Sequence, residues 1–230
     1  MTTAYTDFDA PEVPVGIYPP QQDSHLLIDA IVEAGLASGA RVADLCTGSG
    51  VVAIAAAAAG AAEVTAFDIC PKAVRYARAS AVAEGVSVQV HRGSWARAEE
   101  FGPYDLVVSN PPYVPQGPAD DTDAIPVTAG PAQAWNAGTD GSSVLDPLCA
   151  AAPSLVNEGG TMLLVQSECS NIEMTVSALQ AHGMSVEIVA QQAIPFGPVM
   201  SARAQWLTRT GLLRPGRQEE RIVVIRADAP

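Results

Sequence analysis

The sequence predicts an α/β fold, a mostly parallel sheet with one antiparallel strand near an edge. Three observations carry that expectation. Short apolar runs at 41–46, 63–69, 86–91, 104–110, 161–166, 184–189 and 221–225 are interleaved with helical patterns, as strands joined by crossover helices are. The first run feeds straight into a glycine turn, Thr47-Gly48-Ser49-Gly50, and then into a helix. The last two runs are joined without an ordinary crossover, which fits an antiparallel strand beside a parallel set.

Taken in order, residues 1–16 show no periodicity and read as a flexible tail, and 17–230 as one domain. Asp23 or Ser24 is a candidate N-cap for an amphipathic helix at 26–36, with Leu27, Ile31 and Ala34 on one face. The stretch 18–24 has two readings, a simple helix start or a flap over a ligand. After the glycine turn a helix at 51–59 leads to a strand ending at Asp68, and Pro71 starts a helix that runs to Glu84. A strand at 86–91 is followed by Gly93-Ser94-Trp95. The run Tyr104-Asp105-Leu106-Val107-Val108-Ser109 ends at Asn110-Pro111-Pro112-Tyr113. The segment 115–136, rich in Pro and Gly and carrying Asp120, Asp121 and Asp123, is too long for a plain connection. It reads as a substrate-facing loop anchored by Trp135. Asp140-Gly141-Ser142 opens a helix to 156, and Gly159-Gly160 turns into a strand at 161–166. Asn171 caps a helix to 182, a strand follows at 184–189, and 195–217 is an insertion with a short helix at 201–210 before the closing strand.

Composition excludes several classes. With 230 residues, 48% of them apolar, the chain has enough material for a sizeable core. The longest apolar run, 51–62, is Ala-rich and too short to cross a membrane. The first residues carry acids and no basic group, unlike a signal peptide, so a cytoplasmic protein is expected. Cys46, Cys70, Cys149 and Cys169 show no C-x-x-C pairing, so reduced thiols are expected and no metal. His25, His91 and His182 are too scattered for a metal site or a triad. A net charge of −13 argues against a protein that grips nucleic acid through its phosphates. The charge is uneven: Arg203, Arg209, Arg214, Arg217, Arg221 and Arg226 are half of all Lys and Arg. They read either as a docking face or as a run of solvated arginines.

The chemistry is concentrated at the strand ends. Two prolines cannot continue a strand, and they hold the residue before them extended. Asn110 is therefore presented at the carboxyl edge of the sheet, where ligands of such sheets bind. Its side-chain carbonyl can accept one hydrogen bond from an NH2 group, and the Pro111 carbonyl a second. Tyr113 is placed to pack over a planar amide or base. Gly48, Gly50 and Ala53 satisfy G-x-G-x-x-A, and Asp68 lies twenty residues past Gly48, where a carboxylate accepts ribose hydroxyls. Taken alone, that pattern fits a nicotinamide cofactor or S-adenosylmethionine. Asp44 tilts it, because a carboxylate before the glycines suits an ammonium and repels a pyrophosphate. Ser94 and Trp95 are candidates for an adenine edge and its face.

These residues resemble the seven-stranded S-adenosylmethionine-dependent methyltransferases, and within them the HemK/PrmC group, which methylates the glutamine of the Gly-Gly-Gln motif of peptide-chain release factors. The resemblance rests on Asp44-Leu45-Cys46-Thr47-Gly48-Ser49-Gly50, Asp68 and Asn110-Pro111-Pro112-Tyr113-Val114. Tyr18-Pro19-Pro20-Gln21-Gln22-Asp23-Ser24 and Ala134-Trp135-Asn136-Ala137-Gly138-Thr139-Asp140-Gly141 are similar to stretches of a short branch that lacks an N-terminal helical domain. Gln22 stands where that branch has a glutamate, Ala137 where it has a glycine, and Ser94 where an aspartate is common. The resemblance implies a Rossmann-like seven-stranded class I methyltransferase fold using S-adenosylmethionine. It implies a cofactor site from Asp23, Asp44, Thr47, Gly48, Gly50, Asp68, Ile69, Ser94, Trp95 and Asn110, and a catalytic set of Asn110, Pro111 and Tyr113. It implies a release factor as substrate. A small activator protein, used by the eukaryotic relatives, would be sought at a strand edge near 86–90. The same Asn-Pro-Pro-Tyr cluster also serves adenine-N6 methyltransferases of RNA or DNA. Further alternatives are a small-molecule N-methyltransferase, a non-catalytic cofactor-binding module and a nicotinamide oxidoreductase.

Overall fold

The computed structural model describes residues 13–117 and 125–230. Most of the expected tail, and Asp120, Asp121 and Asp123 of the long loop, lie outside the described residues. The elements are α1 (Gln22–Glu33), β1 (Arg41–Leu45), α2 (Val51–Ala58), β2 (Glu63–Asp68), α3 (Pro71–Ala83), β3 (Gln89–Arg92), β4 (Tyr104–Ser109), α4 (Leu145–Leu155), β5 (Val156–Ser167), α5 (Ile172–Ala181), β6 (Ser185–Pro195), α6 (Pro198–Arg209) and β7 (Glu219–Asp228). The strands form one seven-stranded sheet in the order β3-β2-β1-β4-β5-β7-β6. β1 pairs in parallel with β2 and β4, β2 with β3, and β4 with β5. β7 alone runs against its neighbours, lying antiparallel to both β5 and β6. This is the Rossmann-like fold expected, with its single antiparallel strand next to an edge.

The central strands are buried on both faces, which is why they read as continuous apolar runs. Val42, Ala43, Leu45, Val107, Val108, Leu164, Val224 and Ile225 are all sealed from solvent. Helix α2 packs against both α1 and α3. α4 packs on α5 and on the 3-10 turn Trp95–Glu100.

The boundaries differ from the sequence reading where pairing, not hydrophobicity, decides them. β6 and β7 extend well beyond 184–189 and 221–225 because they bond to each other along nearly their whole lengths, whereas β5 starts early, at Val156, where it pairs with Tyr104 of β4 ahead of a bulge. Gly159-Gly160 lies inside β5 and is no turn before it. β3 is shorter than 86–91, since at the edge it pairs only with β2, from Gln89 onward. α1 begins at Gln22, capped by Gln21 without a side-chain bond. Asp23 and Ser24 are therefore first-turn residues and not caps, and both are buried. Asn171 does cap α5, its side chain accepting from the Met174 amide.

Candidate active site

The strand register lines up the chemistry. Leu45 of β1 opposes Phe67 of β2 on one side and Ser109 of β4 on the other, and Asp68 opposes Arg92 of β3. Cys46, Asp68, Gly93 and Asn110 therefore end in one row at the carboxyl edge of the sheet. Here the strand order reverses, outward through β1 to β3 and outward through β4 to β6, and such a switch point is where open α/β sheets hold ligands. A cavity of about 490 Å3 opens over this row, a size typical of a small-molecule site.

One side of the cavity is made by the glycine turn. Cys46 takes a left-handed φ of 61°, one of two non-glycine residues to do so among those described, and so turns the chain sharply at the end of β1. Asp44 is buried and ties the turn down: Thr47 Oγ1 donates to it at 2.5 Å and the Ala53 amide at 3.0 Å. Burial pushes the Asp44 carboxyl up to about 7, and those two bonds hold it lower than burial alone would. Asp68 takes the Gly48 amide on Oδ2 at 2.8 Å and the Cys70 amide on Oδ1 at 2.7 Å. Each oxygen keeps a further acceptor position. Burial raises the Asp68 pKa as well. Gly48 and Gly50 differ in purpose. A Cβ on Gly48 would meet nothing within 4 Å, whereas one on Gly50 would lie 2.8 Å from Ala77 Cβ. Gly50 lets α2 and α3 approach, and it does not line the cavity. Asp44, Thr47, Gly48, Asp68, Ile69, Ser94, Trp95 and Asn110 do line it. Ile69 is 57% exposed there, an apolar surface with no protein neighbour over it. Ser94 caps the 3-10 turn through the Ala96 amide.

The other side is assembled from distant segments. Asn110 Nδ2 donates to Ser24 Oγ at 3.3 Å. Tyr18 and Tyr113 both donate their hydroxyls to Asp23 Oδ2, at 3.1 and 3.0 Å. Burial, then the Asp23 charge, raises the pKa of both phenols, so they remain donors. Asp23 and Tyr113 thus stand differently from the sequence expectation. Asp23 does not line the cofactor cavity and Tyr113 does not cover it, because a buried carboxylate needs donors and the two phenols supply them. Pro111 is likewise buried and off the cavity lining, which leaves only its main-chain carbonyl for the expected acceptor role, and Pro112 faces the cavity. Tyr18, Pro20 and Ser24 line the cavity, so the 18–24 stretch takes the flap position.

The described part of the long loop closes the same side, with Pro131, Gln133 and Ala134 on the cavity. It is pinned to the chain just after Asn110-Pro111-Pro112-Tyr113: Val114 N donates to Trp135 O at 2.9 Å, and Ala137 N to Val114 O at 3.0 Å. Trp135 is buried, as the anchor role requires. Under it lies Arg203 of α6, 1% exposed, with its guanidinium 4.6 Å from the Trp135 ring centroid and Nη1 donating to Pro115 O at 2.8 Å. Arg217 pairs with Glu168 at 2.9 Å, and Arg226 with Asp228. The C-terminal arginines are thus neither one docking face nor all solvated.

Comparison with known proteins places this geometry. The family model of the methyltransferase small domain matches residues 20–128. A release factor glutamine methyltransferase of Mycolicibacterium smegmatis is 31% identical over 88% of this chain and 70% of its own. The chain belongs to the release factor glutamine methyltransferase family. A Methanocaldococcus jannaschii protein named as a candidate N5-glutamine methyltransferase is 29% identical over 82% of this chain and 91% of its own length. Among solved structures, the E. cuniculi Mtq2–Trm112 complex, described as responsible for methylation of the termination factor eRF1, superposes with a TM-score of 0.62. It covers 94% of this chain and 99% of that one at 20% identity, which speaks to the fold. In this family member, two structural features beside the cavity escaped the sequence reading. Arg203 stands with Val199 and Leu207 at fourfold spacing on the buried face of α6, a signal that was there to be used. The Asp23–Tyr113 bond spans 90 positions, and nothing local announces it.

Proposed function

We propose that the chain is an S-adenosylmethionine-dependent N-methyltransferase of a protein side-chain amide, the glutamine of the Gly-Gly-Gln motif of peptide-chain release factors. The observation that carries this reading is the convergence, in one cavity, of a cation-suited donor site and Asn110. Among the described residues the cavity lining contains Asp44 and Asp68 and no Lys or Arg, which favours a cationic cofactor over a dinucleotide with its pyrophosphate. The open space at Gly48 and the exposed Ile69 fit a nucleoside laid along the strand ends.

When bound, S-adenosylmethionine supplies an electrophilic methyl group on a sulfonium. The residues of the chain do the rest. Asp44 would hold the ammonium, Asp68 the ribose hydroxyls, and Ile69 and Trp95 the adenine. Asn110 Oδ1 and the Pro111 carbonyl accept the two hydrogens of the substrate NH2. An amide nitrogen is a poor nucleophile because its lone pair is delocalised. Two acceptors on its hydrogens favour a pyramidal nitrogen with the lone pair aimed at the methyl, which stabilises the transition state above the ground state. The nitrogen becomes acidic only once methylated, and water takes its proton. Holding methyl and nitrogen in line supplies the remainder.

The reading places the enzyme in the cytoplasm, where release factors act; among the described residues no helix is long and apolar enough to cross a membrane. The edge strand β3, with Val82 80% exposed on the adjoining α3, is the position for a small activator protein. The test is transfer of labelled methyl from S-adenosylmethionine to purified release factors, with and without such an activator. The expected result is one methyl located by mass spectrometry on the Gly-Gly-Gln glutamine, and none on a release factor with that glutamine changed to alanine. Label that persists on the alanine variant, or that disappears with nuclease, would move the assignment to another residue or to RNA.

A further inference from the structure

We propose that Ser24 is a positioning residue that makes the site select an NH2 group, by fixing which end of the Asn110 amide faces the substrate. The proposal rests on the reading of the site as an amide methyltransferase and deepens it.

Asp23 is 2% exposed, and a carboxylate only accepts. Four donors converge on it: the Tyr18 and Tyr113 hydroxyls on Oδ2, and the Ser24 amide at 2.7 Å and hydroxyl at 3.3 Å on Oδ1. The Ser24 hydroxyl has one proton and gives it to Asp23, so toward Asn110 its oxygen can only accept. Asn110 must therefore turn its NH2 to Ser24, and Nδ2 lies 3.3 Å from Ser24 Oγ. The opposite end of the amide, Oδ1, is left as the acceptor on the substrate side. One buried carboxylate thus sets the polarity of a row of three side chains that ends in the cavity. The two phenols and the Ser24 amide prevent the carboxylate from turning away.

This polarity has a chemical consequence. A glutamine offers two N–H donors to Asn110 Oδ1. A glutamate in the same place offers only oxygen lone pairs and leaves that acceptor unpaired. Sites built to bond a substrate N–H reject analogues without it by about 10^4-fold or more. Without the Ser24 hydroxyl the Asn110 amide is free to turn over by half a rotation, presenting either end, and the discrimination falls. Asp23, which touches no substrate in this arrangement, acts only through Ser24 and the two tyrosines.

The test compares Ser24→Ala with Ser24→Thr, which keeps the hydroxyl. With release factor as substrate, Ser24→Ala is expected to lose about tenfold or more in kcat with cofactor affinity within about threefold. The release factor carrying glutamate in place of the glutamine, used as a competitive inhibitor, should gain about fivefold or more in affinity for Ser24→Ala relative to wild type. Ser24→Thr should return both to near wild type. A second reading needs no substrate: hydrogen exchange of the Asn110 side-chain NH2 in isotope-labelled enzyme, its signals assigned by their loss in Asn110→Ala. Exchange should be about tenfold faster in Ser24→Ala than in wild type or Ser24→Thr. Unchanged exchange, or unchanged discrimination between glutamine and glutamate, overturns the proposal. A wild-type enzyme that leaves release factor unmodified while the exchange behaves as stated would overturn the substrate reading and leave the Ser24 assignment standing.

Discussion

The two sides of the cavity are built in opposite ways. The donor side is local: Asp44 bonds Thr47 and Ala53 within nine positions, and Asp68 reaches Gly48 across one strand-turn-helix unit. The acceptor side is made of long-range contacts. Asn110 reaches Ser24 across 86 positions, Tyr113 reaches Asp23 across 90, and Arg203 reaches Pro115 across 88. On the proposed reading, a cofactor common to many enzymes would be held by a supersecondary motif, and recognition of a particular acceptor by the tertiary fold.

If the division is real, each side should fail separately. On cofactor affinity the largest effect is expected for Asp68→Ala, which loses charge-assisted bonds of about 1.5–3 kcal/mol, so affinity should drop roughly 10–100-fold. Turnover at saturating cofactor should stay near wild type, and calorimetry with unchanged affinity would remove the ribose assignment.

The next effect is a pH dependence confined to the donor side. The Asp44 pKa is raised from 3.8 to about 7, so the folded chain holds a proton that the unfolded chain has released between those values. Stability from this group therefore falls as pH rises from 4 to 7 and is level above. A bound cation reverses that preference and expels the proton. Cofactor affinity should rise about tenfold per pH unit up to about 7 and then flatten, and Asp44→Asn should weaken binding and abolish that slope. Titrations at several pH values read it directly, and an affinity independent of pH between 5.5 and 7 would contradict it.

A smaller effect tests the acceptor side. Arg203→Lys keeps the charge but loses the planar stack on Trp135 and the Nη1 hydrogen bond to Pro115 O. The KM for the protein substrate should rise about three- to tenfold while cofactor affinity is unchanged. Steady-state kinetics with each substrate varied separates the two, and a matching loss of cofactor affinity would argue against the division.

The same contrast explains what the sequence made legible. The alternation of runs and helices, the glycine turn, Asp44, Asp68 and the strand end at Asn110 were all readable, because each is written in neighbouring residues. The lengths of β6 and β7 were not, because their antiparallel ladder extends past the apolar pattern, nor was the early start of β5, which is set by its pairing with Tyr104 of β4. Tyr113 was read as a cover for the substrate because its partner, Asp23, lies in another element. Asp23 itself was read as a cap or a cofactor ligand, since Asp at a helix start is usually one. Arg203 was counted among surface charges, although its spacing with Val199 and Leu207 places it inward.

The most direct test of the account is a single-turnover measurement on Asn110→Ala paired with cofactor calorimetry on the same protein. The account predicts a rate of methyl transfer about 100-fold lower or worse with cofactor affinity within about threefold of wild type. A near-normal rate, or a rate lost only in step with cofactor affinity, would contradict an acceptor clamp at the end of β4.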